Sequence, residues 1–337
     1  MSSCVPDTSF FATPEFYSLF LHIMSVIETP FNSFGAWIIL FHTPPTMSSV
    51  KWPMLHFHFW CSFMDISISF LTIPYILLPE VAGFGLGLLS KLGVSDFFQI
   101  HFYVTVVGYT GISLITVYAN RYYVLVGNRL SQLQKAICCS FYVIIWLMVS
   151  TFMIPFSLMI PEQTEAVRTV FRRLPCLPSY IYEGPVFVYM LDVTAAMYTI
   201  TVLVFLLTLS IVTLIVLTLI KLFQQARSSK FSKKTLSLQR RFLFALIMHS
   251  SIPIIVGLIP ICYLGFTVPL KYYNQALNNF SFIIFSFHGL LSTISMLLIY
   301  QPYRHATRNI ILSCLCKNKV FERKKSGSNT TGARMNR

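Results

Sequence analysis

Residues 193–220 read VTAAMYTITVLVFLLTLSIVTLIVLTLI, 28 positions between Asp192 and Lys221 without one Asp, Glu, Lys or Arg. A helix rises 1.5 Å per residue, so about 20 apolar residues cross the hydrocarbon core of a bilayer. The run is apolar on every face and lacks the alternation of a membrane β-strand. In lipid, a continuous apolar segment bonds all its backbone groups only as a helix.

Four more runs share this property: 97–120, 136–161, 242–270 and 272–303 hold 24, 26, 29 and 32 residues without an Asp, Glu, Lys or Arg. Two further spans, near 17–41 and 54–78, are equally apolar except for one acid each, Glu28 and Asp65. The expected architecture is an all-α membrane protein with seven transmembrane helices near 17–41, 54–78, 97–119, 136–160, 186–220, 242–266 and 278–301. Prolines 30, 74, 155, 253 and 260 fall inside these runs and would kink helices that a bundle tolerates. The composition agrees: 55% of the chain is hydrophobic, 11% is charged, and the mean hydropathy is +0.68. An average soluble domain carries about 25% charged residues.

The net charge of +14 would suit a nucleic-acid binder if the cations were clustered on a soluble face. They are distributed by topology instead. The segments 42–53, 120–135, 221–241 and 302–337 hold 1, 3, 7 and 9 Lys/Arg, which is 20 of the 25. The other side holds Lys91, Arg168, Arg172, Arg173 and Lys271. The positive-inside bias sets the N-terminus outside and the C-terminus inside, with membrane lipids and no nucleic acid as partners. The chain divides into an extracellular N-terminus (1–16), the seven-helix domain (17–301), an interfacial amphipathic helix (302–316) and a disordered basic cytoplasmic tail (317–337). The first 50 residues hold no Lys or Arg, so the first span is read as an uncleaved insertion signal.

Ionisable groups at mid-bilayer are costly, about 2.5–3.5 kcal/mol for an acid at a helix centre on insertion scales, and mark function or packing. Glu28, Asn32, Asp65, His288 and Ser292 fall at similar depth in spans one, two and seven. They form a candidate hub, either an ion-binding or hydrated switch or a hydrogen-bond network that fixes packing. Toward the outer ends lie Asp192, His101, Tyr103 and Asn278, the candidate ligand contacts. At the inner end of span three come Asn120, Arg121 and Tyr122. Cys4 and Cys176 are the clear disulfide candidates in the oxidising exterior, with Cys262 a weaker competitor. Cys314 and Cys316, ending the interfacial helix, are a candidate palmitoylation pair. His56 and His58 do not have the surroundings of a metal site, and no metal or other cofactor is implied. Gly83-x-Gly85-x-Gly87 falls in an outer loop without the strand–helix context of a nucleotide fingerprint, and no phosphate loop or His-Glu-x-x-His occurs, so an enzyme is not expected.

Several motifs occur in order along 4–305: Met47-Ser48-Ser49-Val50-Lys51-Trp52-Pro53-Met54-Leu55, Phe59-Trp60 with Asp65, Pro74-Tyr75, Pro79 with Ala82-Gly83, Leu174-Pro175-Cys176-Leu177-Pro178, Asn278-Asn279, His288-Gly289-Leu290-Leu291-Ser292-Thr293 and Pro302-Tyr303-Arg304. With seven spans and an Arg-Tyr closing span three, they resemble the Srh family of nematode serpentine chemoreceptors, a group of G-protein-coupled receptors. The resemblance implies a chemosensory receptor in the plasma membrane of sensory-neuron cilia. It would bind a small odorant-like ligand and activate a heterotrimeric G protein through Asn120, Arg121 and Tyr122. The sequence departs from the family in carrying Ala119 where an acid precedes Asn-Arg, which puts the resting restraint on Arg121 in question. It also lacks an Asn-Pro-x-x-Tyr in span seven and a Cys at the top of span three. The alternatives are a seven-span ligand-gated channel, which would place the N-terminus inside, and a transporter, for which no internal repeat is seen.

Overall fold

The computed structural model describes residues 9–126, 131–174, 176–227 and 233–313. The chain is a bundle of seven long helices with a small sheet at one end. Six of the helices are long and apolar enough to cross a membrane: Pro14–His42, Asp96–Val126, Gln132–Ser157, Thr194–Arg227, Lys233–Leu270 and Gln275–Ile299. The second span, Ser48–Ile66 with a π-helical continuation Ser67–Thr72, is less apolar. It carries His56, His58, Ser62, Asp65, Ser67 and Ser69. Of these, His58, Asp65, Ser67 and Ser69 are buried, so protein neighbours rather than lipid satisfy them.

Burial separates the spans. In its apolar window the seventh is 61% buried, against 6% for the fourth and fifth, so the seventh is the central post and the other two face lipid. One core fills the end of the bundle that carries most of the cations, here the basic end, around Ile38, Phe57, Val117, Leu246, Met296 and Tyr303.

At the basic end the third span runs on to Val126 rather than 119, the fifth to Arg227 rather than 220, and the sixth begins at Lys233 rather than 242. At the other end two spans are shorter than expected. The second span stops at Thr72 rather than 78, because Pro74 lacks an N–H and disfavours helix at the residue before it; Ile73 takes a left-handed φ of 41°. The fifth span begins at Thr194 rather than 186. The freed segments become strands: β1 Pro74–Ile76, β2 Val81–Gly85 and β3 Phe187–Met190, an antiparallel sheet in that order. Gly83 is required there, since a Cβ would overlap the Tyr75 carbonyl.

This sheet closes the opposite end of the bundle, here the sheet end, together with the helix Gln163–Arg173. A second core of Tyr17, Tyr75, Val170, Val188 and Ile283 welds them to spans one and seven. The Tyr17 hydroxyl donates to the Pro74 carbonyl at 3.1 Å, and that of Tyr75 to Ala12 at 2.6 Å.

After the seventh span the backbone extends at Tyr300 (φ −79°, ψ 114°). Pro302 then opens a helix over 301–313, a position proline favours. The helix is anchored by buried Tyr303, whose hydroxyl meets Thr43 Oγ1 of span one at 2.9 Å.

Candidate functional site

The polar hub assembles at mid-bundle around a break in span seven. The span comprises Gln275–Ser286 and His288–Ile299, interrupted at Phe287. A new helical segment begins with backbone N–H groups that lack intrahelical partners. The Asp65 side chain supplies an acceptor: Oδ1 accepts from the Gly289 N–H at 2.7 Å. Asp65 Oδ2 accepts from Asn32 Nδ2 at 3.4 Å, and Asn32 Oδ1 accepts from the Thr293 hydroxyl at 2.7 Å. Spans one, two and seven are thus joined in one hydrogen-bonded circuit. Two glycines permit the approach. A Cβ on Gly289 would collide with the Asp65 carboxylate and the Cys61 carbonyl; one on Gly35 would lie 2.7 Å from Thr293 Cγ2 and 2.8 Å from His58 Cε1.

Glu28 is fully buried beside this circuit. Its Oε2 receives the Ser69 hydroxyl at 3.5 Å, and Oε1 has no partner among the described residues. Of the five hub residues expected, Glu28, Asn32 and Asp65 come together. Ser292 instead faces span six, 3.2 Å from His249 Nε2. His288 is buried with Nδ1 unpartnered among the described residues, its ring 6.1 Å from Phe285. Ser69, Gly289, Thr293 and His249 were missed. The four-residue spacings of Asp65 to Ser69 and of Gly289 to Thr293 were the available signals, since such pairs share a helix face. His58, which the sequence did not place in the hub, bonds the Asn32 carbonyl at 2.8 Å.

The four candidate ligand residues do not converge. Asp192 is exposed and takes the Thr194 N–H at 2.9 Å, so it begins the fifth helix as a cap; hydrogen bonds from Thr194, side chain and then backbone, hold its carboxyl below the usual aspartate range. Asn278 is buried: its amide donates to the Leu78 carbonyl at 3.1 Å and its oxygen accepts from Tyr263 at 2.8 Å, which ties the sheet to spans six and seven. Tyr103 faces Phe285 at 6.4 Å, and His101 faces Phe97 at 6.3 Å. The neighbouring Asn279 is also buried and engaged, with its amide on the Phe11 carbonyl at 2.9 Å.

Cys176 is disulfide-bonded, while Cys262 is a free thiol, which removes Cys262 as the competing partner. Cys4, Cys314 and Cys316 lie outside the described residues.

At the basic end, Arg121 is 6% exposed, yet no acid faces it among the described residues; Ala119 stands where a counter-ion could have been. Its guanidinium lies 4.4 Å from the ring centroid of Phe242 on span six, and Nε has no hydrogen-bond partner among the described residues. Phe242 packs in turn on Tyr300 of span seven at 5.5 Å, and Tyr300 on Tyr303 at 5.8 Å. One turn deeper, the Tyr118 hydroxyl meets Ser250 Oγ at 2.7 Å, a second link from span three to span six. Asn120 donates to the Ser49 carbonyl of span two at 2.9 Å. Phe242 and Tyr300 were also missed by sequence, because nothing in an aromatic residue at a helix end marks it as the partner of a distant arginine.

Residues 12–313, which include both polar clusters, match the profile of the family described as serpentine type 7TM GPCR chemoreceptor Srh. The chain belongs to the Srh family. A curated relative, serpentine receptor class H-72 of Caenorhabditis elegans, is 22% identical over 327 residues, covering 92% of this chain and 90% of the relative. As an Srh-family protein it is a multi-pass membrane protein of a receptor family, and the match spans all seven helices. The expected resemblance and the expected seven-helix architecture both hold.

Proposed function

We propose that this Srh-family protein is a chemosensory receptor that binds a small extracellular ligand and activates a heterotrimeric G protein. The observation that carries this reading is the buried Arg121. It is a charge at the basic end of span three with no acid partner among the described residues, held by the face of Phe242 from span six. A cation kept this way is released when the two helices part, because a cation–π contact is worth about 0.5–2 kcal/mol, less than breaking a buried ion pair. A ligand that binds the parted arrangement better shifts the population toward it. The exposed Arg121, with Asn120 and Tyr122 and the basic segment 221–241, then forms the docking site for the G protein.

In this reading the sheet end faces the exterior and the basic end the cytoplasm, as the cation count favours. A Cys4–Cys176 bridge ties the N-terminal segment to the second outer loop. Tyr103 and His101 remain ligand contacts from span three, whereas Asp192 and Asn278 are already committed to bonds within the fold. The protein resides in the plasma membrane, in the cilium of a sensory neuron, with Cys314 and Cys316 palmitoylated.

The test is a ligand screen read by G-protein nucleotide exchange, on the wild type and Arg121→Ala. A ligand-driven exchange that survives Arg121→Ala would sink the role given to that residue. Tag accessibility on intact cells tests the orientation separately.

A further inference from the structure

Arg121 brings a positive charge into the basic end of the bundle at 6% exposure, and no acid among the described residues balances it. A charge taken out of water is costly unless an opposite charge lies beside it. The chain has little to offer there. Of its 11 acids, only Glu322, outside the described residues, lies on the side that carries 20 of the 25 Lys and Arg. The ring face of Phe242 is a weak substitute. It also leaves the Arg121 Nε–H without a partner among the described residues.

A second donor in the same condition stands close by. Tyr118, Tyr300 and Tyr303 belong to the core at this end. Tyr118 and Tyr303 spend their hydroxyls on Ser250 and Thr43. Tyr300 is 2% exposed, and its enclosed hydroxyl has no partner among the described residues. Its ring packs at 5.5 Å on Phe242, the same ring that Arg121 lies against. The phenol and the guanidinium are near enough to interact electrostatically, yet neither bonds the other. Two neighbouring buried donors, one of them charged, call for one acceptor that carries a negative charge.

We propose that Arg121 and Tyr300 hold a small monovalent inorganic anion, chloride or a halide of similar size. The Nε–H and the phenolic O–H both donate to it, and hydrogen bonds to an ion are stronger than neutral ones. One guanidinium supplies one unit of charge, which a halide balances and a phosphate exceeds. The ion does for this chain what a carboxylate on a neighbouring helix would do, except that it can leave into water when spans three and six part. Anion binding therefore stabilises the arrangement in which Arg121 is covered. The site needs only the geometry of the bundle, so its failure and a failure of G-protein coupling are read in separate experiments.

The experiment is thermal melting of the purified full chain in detergent, with sodium gluconate replaced stepwise by sodium chloride or bromide at constant ionic strength. The melting temperature should rise with either halide and level off, since a single site saturates. Tyr300→Phe should raise the half-saturating chloride concentration by about 10-fold or more, the loss of one hydrogen bond to an ion. Arg121→Ala should abolish the halide dependence, and Lys233→Ala on span six should leave it unchanged. If Arg121→Ala fails to fold, the wild-type titration and Tyr300→Phe still decide the matter. Melting that is the same in gluconate and chloride overturns the proposal, and a drop in Glu322→Ala would then name Glu322 as the counter-ion. A halide effect that survives in folded Arg121→Ala, or that Tyr300→Phe does not weaken, overturns it as well. So does millimolar inorganic phosphate that stabilises the wild type at lower concentration than chloride, which would make this a site for polyvalent anions.

Discussion

Asp65 on the second span accepts a 2.7 Å hydrogen bond from the backbone N–H of Gly289, where the seventh span restarts after its break. A side-chain oxygen from one helix thus completes the capping of another in the interior of the bundle. This contact, with Asn32 and Thr293, sets the depth at which spans one, two and seven register.

Asp65→Ala leaves the Gly289 N–H and the Asn32 amide without their acceptor in a buried site. An unmade buried hydrogen bond costs about 1–3 kcal/mol, so the detergent-solubilised protein should melt several degrees lower. Asp65→Asn keeps a carbonyl oxygen for Gly289 and should recover most of that loss. If Asp65→Ala melts like the wild type, Asp65 does not hold the hub together.

Gly289→Ala tests the same junction from the other side. The added methyl meets the Asp65 carboxylate and the Cys61 carbonyl, neither of which is the end of a long flexible chain. Overpacking of this kind costs about 1–3 kcal/mol. Reduced thermal stability is expected, and the paired Asp65→Ala, Gly289→Ala variant should lose less than the two single losses combined. Strict additivity would show that the two residues do not share one contact.

Phe242→Ala removes the ring over Arg121 and leaves the guanidinium with no described partner near it. On the proposed function, basal nucleotide exchange in a reconstituted G-protein assay should rise by roughly 2- to 30-fold, the Boltzmann equivalent of a cation–π contact. Phe242→Tyr, which preserves a ring face, should stay near the wild-type value. Unchanged basal exchange in a folded Phe242→Ala protein would remove the restraining role.

Glu162 begins the helix Gln163–Arg173 at the sheet end, accepting the N–H groups of Thr164 and Glu165 at 2.9 Å each. The hydrogen bond from Glu165, with those from Thr164, holds its carboxyl below the usual glutamate range. A group whose folded value is depressed stabilises the fold above its unfolded value, about 4.3, and loses that contribution as the pH falls through the folded value. Amide hydrogen exchange across 163–173 should therefore quicken below about pH 4, after correction for the intrinsic rate, and Glu162→Gln should blunt the change. Protection that is flat with pH would contradict the cap.

Much of the architecture was legible because lipid imposes one requirement on every residue of a span. Apolar runs of sufficient length must be helical, and cation placement distributes the loops between two sides. The limits at Thr72 and Thr194 were not legible. The segments 74–76 and 187–190 are as apolar as the spans they adjoin, and only their pairing with Val81–Gly85 makes them strands.

For the candidate sites the division is sharper. Sequence alone marked Glu28, Asn32 and Asp65, because a polar group in an apolar run is conspicuous by its cost; Arg121 was marked by its place at the inner end of span three and by the family resemblance. Sequence could not name their partners. Gly289 contributes a backbone N–H, Phe242 a ring face and Thr293 a hydroxyl common in any membrane helix, and none of these is unusual in sequence. What separates Asp192 as an exposed cap from Asp65 as a buried anchor is the packing of helices far apart in the chain. Sequence determined that this protein is a seven-helix membrane bundle; only the tertiary structure decided which charges meet, since a side chain's partner is set by the neighbouring helix and not by the neighbouring residue.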